Sequence, residues 1–171
     1  TYRSDPALQA AHHAAPWVAS TDDHEVDNNY AGRFPEDDTS PETFLLRRAA
    51  AYQAFYEFMP LRRSTMPAGP DALMYRRLSF GSLMHMSVLD TRQYRDDQPC
   101  GDRFKPSCDE HMDPTRTILG ATQRDWLFDG LSESDARWNV LAQQVLVARF
   151  RSYDDRGRET WTMDKWDGYP F

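Results

Sequence analysis

The chain has 171 residues and a formal net charge of −7, from 27 acidic and 20 basic residues. Its hydrophobic fraction of 40% and aromatic fraction of 13% exclude a disordered chain. No apolar run approaches the ~20 residues of a membrane-spanning helix. The acidic balance disfavours nucleic-acid binding, which needs a positive surface against the phosphates. These totals are typical of a soluble globular protein with one domain.

The N-terminal third is predicted to hold two helices and one short strand. The Ala-rich residues 5–15 predict a short helix, and residues 17–19, Trp-Val-Ala, predict a brief buried strand. An acidic segment follows, and then a polar loop over 32–39. Ser40 is predicted to cap a second helix that ends before Pro60. Its apolar stripe comprises Leu45, Ala49, Tyr52, Tyr56 and Met59.

The rest of the chain predicts strands around one more helix. Residues 73–90 predict a β-hairpin that turns at Gly81-Ser82. Its second strand is expected to be well buried through Leu83, Met84, Met86, Val88 and Leu89. A long loop over 91–117 precedes a helix with the face Leu119, Gln123, Trp126, Leu127 and Leu131. Residues 137–150 predict a strand and 153–158 a turn, so the pattern indicates one mixed α/β unit.

The two cysteines, Cys100 and Cys108, lie close together in a polar stretch that contains proline and glycine. Two cysteines are too few for a zinc site built on cysteine alone, and their spacing is not C-x-x-C. A small disulfide is the predicted arrangement, and it would indicate an oxidising compartment. Two free thiols are the alternative.

Both ends of the chain are expected to continue in a longer protein. Thr1 is not an initiator methionine, and residues 166–171 close the chain without a polar tail. Because the natural N-terminus is expected to be missing, secretion cannot be judged from a leader.

Residues 22–29, Asp-Asp-His-Glu-Val-Asp-Asn-Asn, are the segment with the clearest chemistry, and we call them the acidic loop. Its four carboxylates lie within six positions, and such crowding costs stability unless a cation relieves it. Carboxylate and amide oxygens suit hard metal ions. His24 adds a group that can ligate a metal, bond a phosphoryl oxygen or act as a general acid.

Two structural alternatives compete with a metal site in the acidic loop. Acidic stretches usually lie solvated on the surface, and this loop could instead pair with some of the many arginines. The spacing is not that of an EF-hand, because the D-x-D-x-D-G pattern and its distal glutamate are missing.

The segment DDHEVDNNYAG resembles the signature loop of the alkaline phosphatase D (PhoD-like) family of metallophosphatases. Further segments match that family's pattern in the same order: AAAYQAFYEFMPLR, LDTRQYRDDQPC, LGATQRDWL, QQVLVA and MDKWDGYP. The resemblance covers essentially the whole chain. One departure is Thr21, where the family commonly has an aromatic residue before the paired acids.

The resemblance implies a fold, a location and a set of cofactors. The expected fold is α/β, part of a metallophosphoesterase-like αββα sandwich with a mixed sheet and flanking helices, incomplete at both ends. Family members also have an upstream G-D-x-x-Y loop and a downstream G-D-x-H loop, and this chain has neither. Residues 1–171 would then be one partial catalytic domain, with the remainder of that domain as its partner. Calcium and iron are the implied metals, without a complete site in this chain, and the protein would be secreted or periplasmic.

Similarity also implies roles within the acidic loop. Asp23-His24-Glu25 looks like the counterpart of an N-H-[DE] loop in which one residue ligates a metal and the histidine meets the phosphate. Asp23 is therefore the first candidate metal ligand, with Asp22 and Asn28 as second choices. His24 is the candidate for phosphate contact or protonation of the leaving group.

Two arginines after the predicted hairpin, Arg92 and Arg95, could reach a substrate phosphate. The favoured alternative is that they pair with Asp90, Asp96 or the acidic loop. Arg92 is nevertheless retained as the candidate substrate-binding residue.

The function implied by the resemblance is metal-dependent hydrolysis of phosphate monoesters or diesters. Residues 1–171 by themselves are expected to be inactive. The alternative is a non-catalytic module that binds calcium through the acidic loop or is purely structural.

Overall fold

The computed structural model describes residues 2–171. The helices are α1 (Pro6–Ala14), α2 (Pro41–Phe58) and α3 (Gly120–Ser132). The strands are β1 (Arg76–Phe80), β2 (Met84–Val88), β3 (Phe104–Lys105), β4 (Trp138–Ala142), β5 (Ser152–Tyr153) and β6 (Glu159–Thr162). Short 3-10 turns lie at Tyr2–Ser4, Arg63–Thr65, Pro99–Gly101 and Trp166–Gly168. The predicted mixed α/β composition is confirmed.

Side-chain caps explain where α1 and α2 begin. Asp5 accepts hydrogen bonds from the N–H groups of Ala7 and Leu8 at 2.7 and 3.1 Å, and Ser40 accepts one from Thr43 at 3.3 Å. Such caps satisfy backbone donors that have no partner in the first helical turn. Both predicted helices are confirmed.

The buried face of α2 differs from the predicted stripe. Its fully buried residues are Phe44, Arg48 and Tyr52, at steps of four, so the face is rotated by about one residue. Arg48 is tolerated inside because its guanidinium donates to the carbonyl of Pro70 at 2.8 Å and to the carboxylate of Asp71 at 2.9 Å. An apolar pattern could not reveal this paired charge.

The first sheet has the order β1-β2-β4. Strands β1 and β2 form the predicted antiparallel hairpin, and Gly81 in its turn has φ +56°, which glycine adopts without strain. Strand β4 pairs parallel to β2, with Met84 opposite Trp138. The expected burial of the second strand is correct only at its end, because Val88 and Leu89 are buried and Met84 and Met86 are half-buried. Leu83 lies in the turn before β2 and is 59% exposed.

The second sheet has the order β3-β6-β5 and is antiparallel. Its strands are two to four residues long and were not predicted. The turn over 153–158 is present, where Asp154 and Arg158 exchange backbone and side-chain hydrogen bonds.

Two strand predictions are corrected. Residues 17–19 form no strand, and Trp17 and Val18 are each 42% exposed. The strand predicted over 137–150 ends at Ala142, and the remaining residues are irregular. Of these, Val145 is buried in the core, whereas Leu146 and Val147 are largely exposed. A composition rich in Val and Leu, or a short apolar run, does not distinguish a strand from a loop that buries one side chain.

The largest core cluster joins α3 to the hairpin and the C-terminal segment. Its buried members are Leu89, Ile118, Leu119, Leu127, Val145 and Tyr169. A smaller cluster of Tyr52, Ala72 and Met74 lies under α2, with Val26 of the acidic loop packed against it. The acidic loop is thus fixed to the core at its middle. Within residues 2–171, no helix has the length and apolarity to span a bilayer.

Candidate functional site

The acidic loop folds back on itself around Asp23. The carbonyl of Asp23 accepts the N–H groups of Val26 and Asp27, both at 2.8 Å, and its carboxylate accepts the N–H of Asn29 at 2.9 Å. Asn29 has φ +48°, a left-handed conformation that asparagine tolerates better than most residues. The eight residues therefore form a compact turn.

Glu25 holds the start of the turn. Its carboxylate accepts the N–H of Asp22 at 2.6 Å. Glu25 and Asn29 thus hold the two ends of the loop through hydrogen bonds to backbone groups.

Arginines neutralise two of the crowded carboxylates. Asp22 lies 2.8 Å from Nε of Arg92, and Asp27 lies 2.7 Å from Nη1 of Arg47. Asp23 is 4.0 Å from Nη2 of Arg92. The pairing with arginine that competed with a metal site is therefore present for Asp22 and Asp27.

His24 is held at the solvent-exposed side of the loop. Its side chain is 77% exposed, and Nε2 lies 2.9 Å from Oδ1 of Asn28 and 3.8 Å from Oδ2 of Asp23. The amide nitrogen of Asn28 donates to the carboxylate of Glu36, which can only accept. The amide oxygen therefore faces His24, and Nε2 of the imidazole carries the proton.

The candidate residues thus separate into two groups. Asp23, His24 and Asn28 lie together, with an imidazole between a carboxylate and an amide oxygen. Asp22 is instead bonded to Arg92. Among residues 2–171, no group of three or more His, Cys, Asp or Glu side chains is arranged to hold a metal. A complete metal centre does not fit these residues, so we derive no reaction step through a metal.

Arg92 is buried among carboxylates. It is 1% exposed, donates from Nε to Asp22, and makes two bonds of 2.7 and 2.9 Å to the carboxylate of Asp164. Burial would lower the pKa of Arg92, but the hydrogen bond and charge of Asp164 and the charge of Asp22 outweigh it and raise that pKa. Contact between Arg92 and a substrate phosphate finds no support in this geometry, which favours the alternative of pairing with the acidic loop.

Asp164 was missed in the sequence. It lies just after β6, and Nη1 of Arg95 also donates to it at 3.1 Å. Burial would raise the pKa of Asp164, but the hydrogen bond from Arg92 and the charges of Arg95 and Arg92 outweigh burial and lower that pKa. In the sequence, the segment MDKWDGYP stood out only through its match to the family pattern.

A disulfide between Cys100 and Cys108 closes a small ring beside the acidic loop. Within this ring, Asp102 accepts a hydrogen bond from the side chain of Asn29 at 2.7 Å. Gln98, just before the ring, donates to the backbone carbonyl of Asn29. Residues 98–108, which we call the disulfide segment, therefore hold the end of the acidic loop.

A cleft of about 430 Å³ lies next to the residues that hold the end of the acidic loop. It is lined by charged and polar side chains of both signs, including Glu36, Asp97, Gln98, Asp102, Arg103 and Lys105. Glu36 contacts Asn28, whereas Gln98 and Asp102 contact Asn29. The lining of the cleft is therefore bonded to the last two residues of the acidic loop.

Comparison with known proteins gives consistent matches along the chain. The chain is 55% identical over 169 residues to "Alkaline phosphatase D" of Bacillus subtilis (strain 168), covering 99% of this chain and 29% of that protein. A solved structure described as "Structure of PhoD" superposes with a TM-score of 0.94 at 55% identity, covering 99% of this chain and 32% of that one. The chain therefore spans less than a third of the length of these relatives. The family profile described as PhoD-like phosphatase matches residues 1–171, and the chain belongs to this family.

Proposed function

We propose that this chain supplies one loop of the active site of a metal-dependent phosphoric ester hydrolase that acts on phosphate monoesters or diesters. Family membership supports the reaction class. The observation that carries the proposal is the exposed imidazole of His24, oriented by Asn28 and close to Asp23. In this proposal residues 1–171 are one part of a single catalytic domain, and the active site also needs residues outside them.

His24 acts as the general acid. Because Nε2–H is bonded to Asn28, the second proton of the imidazolium is carried on Nδ1. As the oxygen of a water molecule bonds to phosphorus and the bond to the leaving group breaks, this proton moves from Nδ1 to the departing oxygen. The attacking water gives up one proton to solvent. Such positioned proton transfer contributes about 10²–10⁴-fold to rate. The compact turn keeps the imidazole fixed on a loop that solvent and substrate can reach.

In the whole protein, Asp23 and Asn28 would supply oxygen ligands to a metal, and its other ligands would come from outside residues 2–171. One carboxylate and one amide oxygen are a donor pair that suits calcium, and calcium and iron are the metals implied by resemblance. Asp22 is the weaker candidate, because Arg92 already occupies one of its oxygens. The role of Asp22 is to hold the loop rather than the metal.

The protein is proposed to be secreted or periplasmic. The supporting observation is the disulfide between Cys100 and Cys108, because such bonds persist in oxidising compartments and are rare in the cytosol.

The first test compares His24→Gln in the full-length protein with His13→Gln, which changes an exposed histidine on α1. A general acid matters most when the leaving group is poor. We therefore expect His24→Gln to lower kcat about 10²-fold or more for an alkyl phosphate and much less for p-nitrophenyl phosphate. His13→Gln should leave both rates unchanged. An equal, small effect on both substrates would refute the role of His24.

The same assay tests Asp23. Asp23→Asn should raise the calcium concentration that gives half-maximal activity, because an amide is a weaker ligand than a carboxylate. Wild-type protein that binds calcium but hydrolyses neither phosphate monoesters nor diesters would instead favour the non-catalytic calcium-binding module.

A further inference from the structure

The carboxylate of Asp164 is the meeting point of three side chains from the segment after β2. Its Oδ1 accepts from Arg92 at 2.7 Å, Arg95 at 3.1 Å and Gln98 at 2.9 Å. Its Oδ2 accepts a second hydrogen bond from Arg92 at 2.9 Å. Charge-assisted, bidentate bonds of this kind fix the orientation of an arginine more strongly than neutral bonds do.

Two of these side chains reach opposite ends of the acidic loop. Arg92 donates through Nε to Asp22, the first residue of the loop, at 2.8 Å. Gln98 uses its amide nitrogen twice, once for Asp164 and once for the backbone carbonyl of Asn29, the last residue of the loop. One carboxylate therefore orients two of the side chains that hold the loop.

Burial makes this arrangement dependent on the charge of Asp164. Arg92 and Arg95 are almost completely buried, and Asp164 is 8% exposed. Asp164 and Asp22 together balance the two guanidinium charges. A buried charge that loses its partner is strongly unfavourable, so an arginine left without Asp164 would move towards other oxygens or solvent. In either case the bond from Arg92 to Asp22 would change.

We propose that Asp164 is the positioning residue of the acidic loop, acting through Arg92 and Gln98. It sets the geometry of Asp23 and His24 without touching the substrate. Partners that orient catalytic or ligating groups in this way typically contribute 10–100-fold to activity or metal affinity. The part of the inference that concerns catalysis rests on the proposed function, whereas the part that concerns loop order does not.

Asp164→Asn in the full-length protein tests the inference directly. Asparagine keeps the size of the side chain and one acceptor oxygen, but it presents an N–H₂ donor where Arg92 or Arg95 needs an acceptor. The readout is hydrogen exchange at Val26, Asp27 and Asn29, whose N–H groups are bonded to Asp23. We expect exchange at these three positions to become faster, while exchange within α2 stays unchanged.

The matched control is Asp155→Asn, an exposed aspartate on the turn between β5 and β6. It removes the same charge from the same part of the chain without touching Arg92 or Gln98. Exchange in the acidic loop should stay at the wild-type rate.

A second variant covers the case in which Asp164→Asn does not fold. In Gln98→Met the side chain keeps a similar volume but loses its hydrogen bonds to Asp164 and to the carbonyl of Asn29. The pairs between Asp164 and the two arginines stay intact. We expect faster exchange at Asn29 with a folded core. If Gln98→Met, and Asp164→Asn where it folds, retain wild-type exchange in the acidic loop, the inference is overturned.

Activity gives a separate readout. In Asp164→Asn, kcat for an alkyl phosphate should fall about 10–100-fold with little change in KM, and Asp164→Glu should restore part of it. Faster loop exchange with unchanged kcat in an active enzyme would overturn the catalytic part. If the wild-type protein hydrolyses no phosphate ester, the proposed function fails, and the exchange experiment still decides whether Asp164 orders the loop.

Discussion

Thr21, directly before the acidic loop, is almost completely buried, and its hydroxyl has no hydrogen-bond partner among the described residues. A buried polar group without a partner costs about 1–3 kcal/mol. This is also the position where the family commonly has an aromatic residue. The departure seen in the sequence therefore has a structural consequence, an unpaired hydroxyl beneath the candidate site.

Replacing Thr21 by valine should stabilise the protein. Valine has nearly the same shape and removes the unpaired hydroxyl, so we expect the free energy of unfolding to rise by about 1 kcal/mol. The measurement is thermal or urea unfolding of the full-length protein.

Thr91→Val is the matched control for this prediction. Thr91 is equally buried, but its hydroxyl donates to Gln144 at 2.9 Å, so the same substitution should destabilise. If both variants shifted stability in the same direction, the unpaired state of the Thr21 hydroxyl would not be the cause.

At the scale of elements, the disulfide segment supports the acidic loop from one side. The ring closed by the disulfide contains three non-glycine residues with positive φ. They are Cys100 at 59°, Asp102 at 62° and Arg103 at 62°. Non-glycine residues in this region are strained, and such conformations persist only where the surroundings enforce them. The disulfide is the covalent constraint on this strained ring, which in turn contacts Asn29.

Removing the disulfide should therefore loosen the segment. For a ring of this size, chain entropy predicts a loss of about 2.5 kcal/mol in the double variant Cys100→Ser, Cys108→Ser. Calorimetry in the presence and absence of a reducing agent measures this. The wild-type unfolding temperature should fall on reduction, whereas the double variant should not respond to the reductant. If reduction changed the unfolding temperature of both proteins equally, the disulfide would not be the bond that stabilises this segment.

At the scale of the whole molecule, Asp164 joins segments that are far apart in the chain. It connects the end of β6 with the segment that follows β2 and, through Arg92 and Gln98, with the acidic loop. The candidate site is therefore part of the tertiary structure rather than a surface loop that could fold locally.

This arrangement predicts an acid-dependent loss of stability. The hydrogen bond from Arg92 and the charges of both arginines outweigh burial and hold the pKa of Asp164 below the ordinary value of an aspartate. A pKa that is lower in the folded state adds stability that is fully present above about pH 5 and lost as the pH falls towards the folded pKa. The free energy of unfolding of the wild type, measured with urea, should therefore fall from about pH 5 downwards. The fall should be shallower in Asp164→Asn. If the free energy of unfolding fell equally with pH in both proteins, Asp164 would not contribute to the acid-dependent loss of stability.

Local signals predicted much of the fold. Ser40 and Pro60 correctly bracketed α2, and the turn at Gly81 correctly marked the hairpin, because caps and turns depend on neighbouring residues. The short second sheet was missed, since strands of two to four residues carry too few alternations to be recognised. The exposed Trp17 and Val18 were wrongly assigned to a strand for a related reason, because a three-residue apolar run does not specify burial.

The sequence by itself determined the chemistry available to this protein: an acidic loop with one histidine, two cysteines close enough to pair, and motifs that resemble one phosphatase family. Only the tertiary structure decided which charges meet. Asp164 is 72 residues from Arg92, and Arg92 is 70 residues from Asp22, so no local spacing relates them. Burial then selected the pairs, because a guanidinium removed from water must find carboxylates wherever the fold brings them.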